Sequence, residues 1–245
     1  MRPLKLLHTS DVHLESDSVG SGPKGALIRR RLRDAFSRVI AIANEREADL
    51  LLIVGDLFDS SRIADEALAF AFETIARAEM PVVMVPGNHD AHDERSIYAG
   101  LEPARFPQNL HLILEPEGRT LDFPALAARL WGRALVEHSP DYRPLAGIPA
   151  PAPDRWNIAL AHGLFTDDES ERSSRITAGE IAASAYHYIA LGHVHVFNDV
   201  SQAGTRAAYC GTPAPLYSND GAGSVAWVSF VRGEAPFLEQ IVIRT

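Results

Sequence analysis

The sequence has a single cysteine, Cys210, so it cannot form an internal disulfide and fits a reducing compartment. Long apolar runs are missing too, and nothing approaches the roughly 20 residues of a membrane-spanning helix. Before Asp11 the only apolar stretch is Leu4 to Leu7, interrupted by Lys5, which gives a secretory leader no core. Positive charge is scarce as well: the formal net charge is −9. That balance argues against broad, sequence-blind clamping on nucleic acid. It leaves a phosphate substrate open, because bound divalent cations invert the local field. Repeats and low-complexity tracts are absent. The expectation is a soluble cytoplasmic protein whose 245 residues make one large domain or two small ones.

What the sequence does contain is a series of short apolar runs that end alike. Leu50-Leu51-Leu52-Ile53-Val54 reads as a strand buried on both faces, as in parallel sheets, and closes on Gly55-Asp56-Leu57-Phe58-Asp59. Leu4 to His8 leads to Asp11 and His13. Pro81 to Val85 leads to Gly87-Asn88-His89-Asp90. Trp156 to Ala161 ends at His162, and Tyr186 to Leu191 ends at Gly192-His193-Val194-His195. In open α/β sheets ligands bind just outside the carboxyl ends of the strands. Asp11 and His13, like His193 and His195, stand two apart, so extended backbone points each pair to one side.

Helical patterns separate the first three strands. From Ala26 onward Ile28, Leu32, Ala35, Phe36, Val39, Ile40 and Ala43 share a face, opposite Arg29, Arg30, Arg33 and Arg38. The arginines read as a solvated face, with substrate contact as the alternative. Ile63, Ala67, Leu68, Ala71, Phe72 and Ile75 predict a second helix capped by Ser60 or Ser61, with Phe70 off its stripe. Gly20-Ser21-Gly22-Pro23-Lys24-Gly25 matches a dinucleotide fingerprint literally, but no strand directly precedes it, so it reads as a loop. Three strand–helix repeats predict βαβ units and a largely parallel sheet. Leu110 to Leu114, Arg119 to Phe123 and Leu126 to Trp131 read as further strands. The proline-rich stretch from Ser139 to Asp154 reads as an irregular connection. Val196 to Val200, Arg206 to Tyr209, Ser224 to Val231 and Phe237 to Ile243 predict a β-rich end.

Five of the ten histidines, His13, His89, His162, His193 and His195, fall at these strand ends. Each alone reads as well as a core or turn histidine; unrelated histidines would not all fall there. His8, His92, His111, His138 and His187 carry no such signal, with His92 the nearest to the rim. Imidazole and carboxylate without thiolate suit manganese, iron, zinc or nickel and argue against a closed structural zinc site. The donors Asp11, His13, Asp56, Asn88, His162, His193 and His195 are too many for one tetrahedral ion and fit two ions that share Asp56. Two such ions, roughly 3.5–4 Å apart, clamp phosphorus for in-line attack and make hydroxide available near neutral pH.

These segments resemble the calcineurin-like metallophosphoesterase superfamily over nearly the whole chain. The motifs are Asp11-x-His13, Gly55-Asp56-x-x-Asp59, Gly87-Asn88-His89-Asp90, His162-Gly163 and Gly192-His193-x-His195, in the family order. The resemblance implies an α/β fold, a four-layer α/β/β/α sandwich of two mixed sheets flanked by helices. It implies that Asp11, His13, Asp56 and His195 hold one ion and that Asp56, Asn88, His162 and His193 hold the other, manganese being the first choice. By the same analogy His89 is no ligand. It neutralises the transferring phosphate and protonates the leaving oxygen, supported by Asp59.

Within the superfamily the chain is most similar to the SbcD-like exonucleases of DNA double-strand-break repair. Their wording is echoed in Gly55 to Asp59, in Tyr188 to His195 and in Tyr209-Cys210-Gly211-Thr212-Pro213. Glu15 stands near the place where that branch usually has glycine. Those nucleases are longer and add a DNA-binding cap and a segment that docks an ATPase. Here a single domain over residues 1–245 without a separate cap is expected. The leading expectation is a phosphodiesterase acting by metal-bound hydroxide on short or single-stranded nucleic acid. The alternatives are a phosphomonoesterase or nucleotide phosphodiesterase, and a non-catalytic scaffold of the same fold. Homodimer formation and an ATPase partner follow only by family analogy.

Overall fold

The computed structural model describes residues 1–16, 20, 22–216 and 222–244. The first sheet gathers β1 (Leu4–Thr9), β2 (Leu50–Val54), β3 (Val82–Val85) and β4 (Leu110–Leu112), all parallel. Two strands from the chain end, β13 (Ala222–Phe230) and β14 (Phe237–Arg244), extend it antiparallel beyond β1. The second sheet is built from β5 (Arg119–Phe123), β6 (Ala128–Gly132), β7 (Trp156–His162), β10 (Tyr188–Gly192), β11 (Phe197–Asp199) and β12 (Arg206–Cys210). Its order is β11-β12-β10-β7-β6-β5, parallel in the middle with an antiparallel strand at each edge. A two-stranded ladder of β8 (Leu164–Phe165) and β9 (Arg175–Ile176) lies apart.

The period of two along each strand decides which layer a side chain enters. On β2, Leu50, Leu52 and Val54 join Leu4, Leu6, Val83, Leu130, Ile158 and Leu160 between the sheets. Leu51 and Ile53 turn the other way and meet α1 (Pro23–Glu45) and α2 (Asp65–Ala76). Across the second sheet Ala159, Ala161, Ile189 and Leu191 pack under Leu145 and Ile181, the latter on α3 (Ala178–Ser184). Two sheets face to face with helices outside give the expected four layers, and the outer layer over the second sheet is thin. Each aliphatic side chain buried between the sheets contributes roughly 1.5–3 kcal/mol relative to exposure. One polar pair interrupts that layer: Nδ1 of His8 lies 2.8 Å from the hydroxyl of Tyr188. Burial pushes His8 down to about 3, so it is a neutral core residue.

Several element boundaries differ from the sequence reading. Pro23 opens α1 after Gly22, ahead of Ala26, because its fixed φ suits the first helical position. Ser21 lies outside the described residues. Neither Ser60 nor Ser61 caps α2: Ala64 holds that position without a side-chain bond, and Asp65 and Glu66 favour the helix N-terminus by charge. The Ser60 hydroxyl donates to the Arg62 carbonyl instead. Phe70 packs against the core under the Arg33 guanidinium, 5.0 Å from its ring centroid. Pro124–Leu126 is a 3₁₀ turn, so β6 starts at Ala128, and the expected strand from Val196 shortens to β11. The sequence pattern predicts no helix at α3, where Thr177 and Glu180 form a reciprocal capping box.

The sandwich closes tightly where the rim begins. A Cβ on Gly192, at the end of β10, would stand 1.9 Å from the carbonyl oxygen of Val54 at the end of β2. Only glycine allows the two sheets to meet there, which brings His193 beside the loop that follows β2.

Candidate metal centre

The strand ends deliver their side chains through left-handed backbone. Asp11, His13, Asp56 and His193 have φ of 54°, 52°, 53° and 105°. Such conformations strain non-glycine residues and persist when the surroundings hold them. Here the Asp11 and His13 amides donate to the carbonyls of Gly55 and Asp56, at 3.1 and 3.0 Å, and Leu14 donates to Leu57 at 2.9 Å. Asp11 and His13 therefore reach one site through alternate kinks, not through the extended backbone expected from their spacing. Glu15 is also left-handed, with φ of 58°, which explains why glycine suits that place; its carboxylate is paired with Arg33.

Asp56 sits between two groups of donors. Its Oδ1 accepts the His89 amide at 2.8 Å, which fixes the carboxylate. Its Oδ2 lies 3.4 Å from Nε2 of His162 and 3.9 Å from Nε2 of His13. On one side Nε2 of His195 lies 3.2 Å from Nε2 of His13 and 3.6 Å from Oδ1 of Asp11. On the other, Oδ1 of Asn88 lies 3.0 Å from Nε2 of His162 and 2.9 Å from Nδ1 of His193. The seven expected ligands are thus brought together, in two groups that meet at Asp56.

The donor set fits cations. Nδ1 of His162 donates to the Val54 carbonyl at 2.9 Å, and Nδ1 of His13 lies 2.9 Å from Oδ1 of Asp59. A ring proton used on that side leaves the Nε2 lone pair free, the tautomer a metal-binding histidine adopts. Lone pairs of His13 and His195 aimed at each other need a proton or a cation between them. Among the described residues the ion-pair partners of Asp11 and Asp56 are histidines alone, with no lysine or arginine in the way.

Electrostatics ties these groups together. Burial alone would raise Asp56, yet the imidazoles of His162, His13 and His89 hold it below the ordinary carboxylate range. Burial works against a charged His162, but Asp56 outweighs it and raises this imidazole to about 9. His13 is raised in the same way, against burial, by Asp59, Asp56 and Asp11. Burial, then the charge of His162, pushes His193 down to about 3, and burial lowers His195. A cation bound here would replace the protons that the cluster otherwise holds.

His89 stands at the open side, with its side chain 43% exposed. Its Nδ1 lies 3.0 Å from the backbone carbonyl of Asp59 and 3.5 Å from the Asp59 carboxylate. That carboxylate also accepts the Ser16 hydroxyl at 2.7 Å and meets His13 at 2.9 Å. The Asp59 carboxylate therefore lies closer to His13 than to His89, which meets Asp59 mainly through its backbone carbonyl.

Three supporting residues escaped the sequence reading. Asp90 is fully buried and accepts the amides of Asp56, Leu57, Phe58 and Gly87, at 3.1, 3.0, 3.3 and 2.7 Å, and the Tyr98 hydroxyl at 2.7 Å. The loops after β2 and β3 are thereby tied to one carboxylate. It was in view, in the Gly87–Asp90 quartet, but only its partners reveal its work. His138 and Ser173 were invisible, since neither follows an apolar run. Nε2 of His138 lies 2.7 Å from the Ser173 hydroxyl, which lies 3.4 Å from Nε2 of His193. His92, near the rim in sequence, contacts Ser96 within its own loop.

Comparison with known proteins shows the family. The model of the calcineurin-like phosphoesterase family matches residues 4–197. The chain is 26% identical, over 280 residues, to the SbcD component of the nuclease SbcCD of Bacillus subtilis (strain 168), covering 98% of this chain and 70% of that one. It is 27% identical over 217 residues to the metallophosphoesterase YhaO of the same organism, covering 78% of this chain and 48% of the relative. A DNA double-strand break repair protein of Methanopyrus kandleri is 26% identical over 239 residues, covering 87% and 49%. The chain thus spans about half the length of two of these relatives. Crystal structures of a Thermus thermophilus protein and of a dimetal phosphatase from Danio rerio superpose with TM-scores of 0.58 and 0.56. Sequence identities are 13% and 10%; the superpositions cover 99% and 98% of this chain and 100% and 98% of theirs, so they show the fold alone.

Two outcomes are expected. Because His162 keeps its proton up to about pH 9 in the cation-free cluster, a cation binding at pH 7 displaces it. Below that pKa the apparent affinity falls with falling pH, about tenfold per unit for each proton displaced. Titration calorimetry of manganese binding in buffers of different ionisation enthalpy should detect about one proton or more released; no release contradicts this picture of the cluster. Asp90→Asn, which turns an amide donor toward backbone N–H groups, should lower unfolding free energy by about 1–3 kcal/mol. Denaturant titration checks it.

Proposed function

Starting from the fact that the chain belongs to the calcineurin-like phosphoesterase family, we propose that it is a two-metal phosphodiesterase of nuclease type. Short or single-stranded nucleic acid is the proposed substrate, manganese the proposed metal. The observation that carries this reading is the meeting of two donor groups at Asp56, with His89 exposed beside them. Relatives that are nucleases support the diester preference.

Asp11, His13, Asp56 and His195 would hold one cation, and Asp56, Asn88, His162 and His193 the other. Two divalent cations supply charge neutralisation at phosphorus and lower the pKa of water. The protein's part is placement. The Asp56 carboxylate, fixed at Oδ1 by the His89 amide, presents Oδ2 to both groups. Asp59 and the Val54 carbonyl orient the rings of His13 and His162. His89, on the open side with Nδ1 toward Asp59, can donate its Nε2 proton to the departing oxygen. His138 and Ser173 steady the far nitrogen of His193.

Asp56→Ala should lose both ions by elemental analysis. His89→Ala should keep both while kcat on bis(p-nitrophenyl) phosphate falls ~10²–10⁴-fold, the scale of a lost general acid. If His89→Ala strips a metal, the division between ligand and acid is wrong. Faster turnover of p-nitrophenyl phosphate than of the diester, with no cleavage of oligonucleotides, would replace the nuclease reading by a monoesterase.

A further inference from the structure

The rim continues past the metal centre along the edge where β13 and β14 pair. The register that sets His8 against Ala226, and Ser224 against Val242, carries Val242 and Arg244 out to the level of the β1 carboxyl end. This corner is stitched to the metal-facing segment: the Ser224 amide donates to the Thr212 carbonyl, and the Thr212 amide to the His195 carbonyl. Between them opens a cleft of about 300 Å³ lined by His195, Val196, Phe197, Thr212, Gln240 and Val242, among others. Val196 and Val242 are 66% and 53% exposed, so apolar surface faces solvent directly beside a proposed ligand.

A second cleft, of about 530 Å³, adjoins the first. Arg30, Arg31, Arg38 and Arg244 line it with Leu27 and a single carboxylate, Asp34. The Arg31 guanidinium reaches the carbonyl of Pro215, which also lines the first cleft, so the two share a wall. Arg244 stands two residues along β14 from Val242, roughly 7 Å. On a chain of net charge −9, four arginines around one aspartate form a local positive field. Arg30 and Arg38 pair with Asp34 and Glu45 at 3.7 and 2.6 Å, but both pairs are exposed. Exposed ion pairs contribute little and exchange readily for phosphate.

We propose that the two clefts form one groove for single-stranded nucleic acid leading away from the metal centre. The apolar cleft takes an unpaired base and the arginine cleft takes a phosphate further along the strand. The alternation of apolar slot and cationic cleft suits a polynucleotide, whose bases offer flat faces and whose backbone offers charge. This groove rests on the phosphodiesterase reading, and it favours oligomers, because only a strand fills both clefts at once, with a base in the first and a phosphate further along in the second.

The test uses the manganese-loaded full chain and fluorescent, hydrolysis-resistant phosphorothioate oligothymidylate and oligouridylate about eight nucleotides long, read by anisotropy. A variant carrying Arg30→Ala, Arg38→Ala and Arg244→Ala should bind the oligomers about tenfold or more weakly at 0.1 M salt. Its slope of log K against log salt should shallow by about 2, near 0.7 for each of the lost contacts. Val242→Glu should weaken thymidine monophosphate as well as the oligomers. Thermal midpoints confirm that both variants fold. Wild-type protein that fails to bind either oligomer, or a triple variant with unaltered affinity and slope, overturns the groove. Hydrolysis of bis(p-nitrophenyl) phosphate by the wild type is scored separately. Turnover without oligomer binding defeats the groove alone, and binding without turnover defeats the phosphodiesterase reading alone.

Discussion

The rim depends on a carboxylate that does not face it. Asp90 lies beneath the loops after β2 and β3 and accepts four backbone amides and one phenol. Burial and the neighbouring charge of Asp56 push Asp90 up, and the amides and the Tyr98 hydroxyl pull it back. The loops keep their shape because that carboxylate is saturated with donors. Asp56 and Asn88 then stand where two groups of imidazoles converge. A cation held at Asp56 would offset the charge that opposes Asp90, so loop order and metal binding would reinforce each other.

The same economy of placement runs through the sandwich. Aliphatic side chains alternate between the inter-sheet layer and the helices, so the sheets can press together at Gly192. At Gly55, φ is 80°, and a Cβ would stand 2.2 Å from Nδ1 of His162. Both glycines let side chains from different sheets share one small volume. Packing at the strand ends is thus inseparable from the chemistry placed there.

Much of this was legible because the signal was positional. Asp11, Asp56, Asn88, His162 and His193 each follow an apolar run, and strand ends of a parallel sheet gather by topology. The less legible parts lack such a run. His138 and Ser173 lie in irregular chain and reach His193 only through tertiary contact. The capping box of α3 was written in Thr177 and Glu180, but its seven residues carry too little apolar period to stand out. The kinks at Asp11 and His13 are invisible to period-two reasoning, because the hydrogen bonds that stabilise them come from the loop after β2.

The most direct measurement is a crystal structure of the manganese-loaded protein with anomalous scattering collected at the metal edge. Two peaks roughly 3.5–4 Å apart, with the Asp56 carboxylate between them, are expected. One peak, or two that do not share Asp56, would contradict the two-metal centre and everything placed around it.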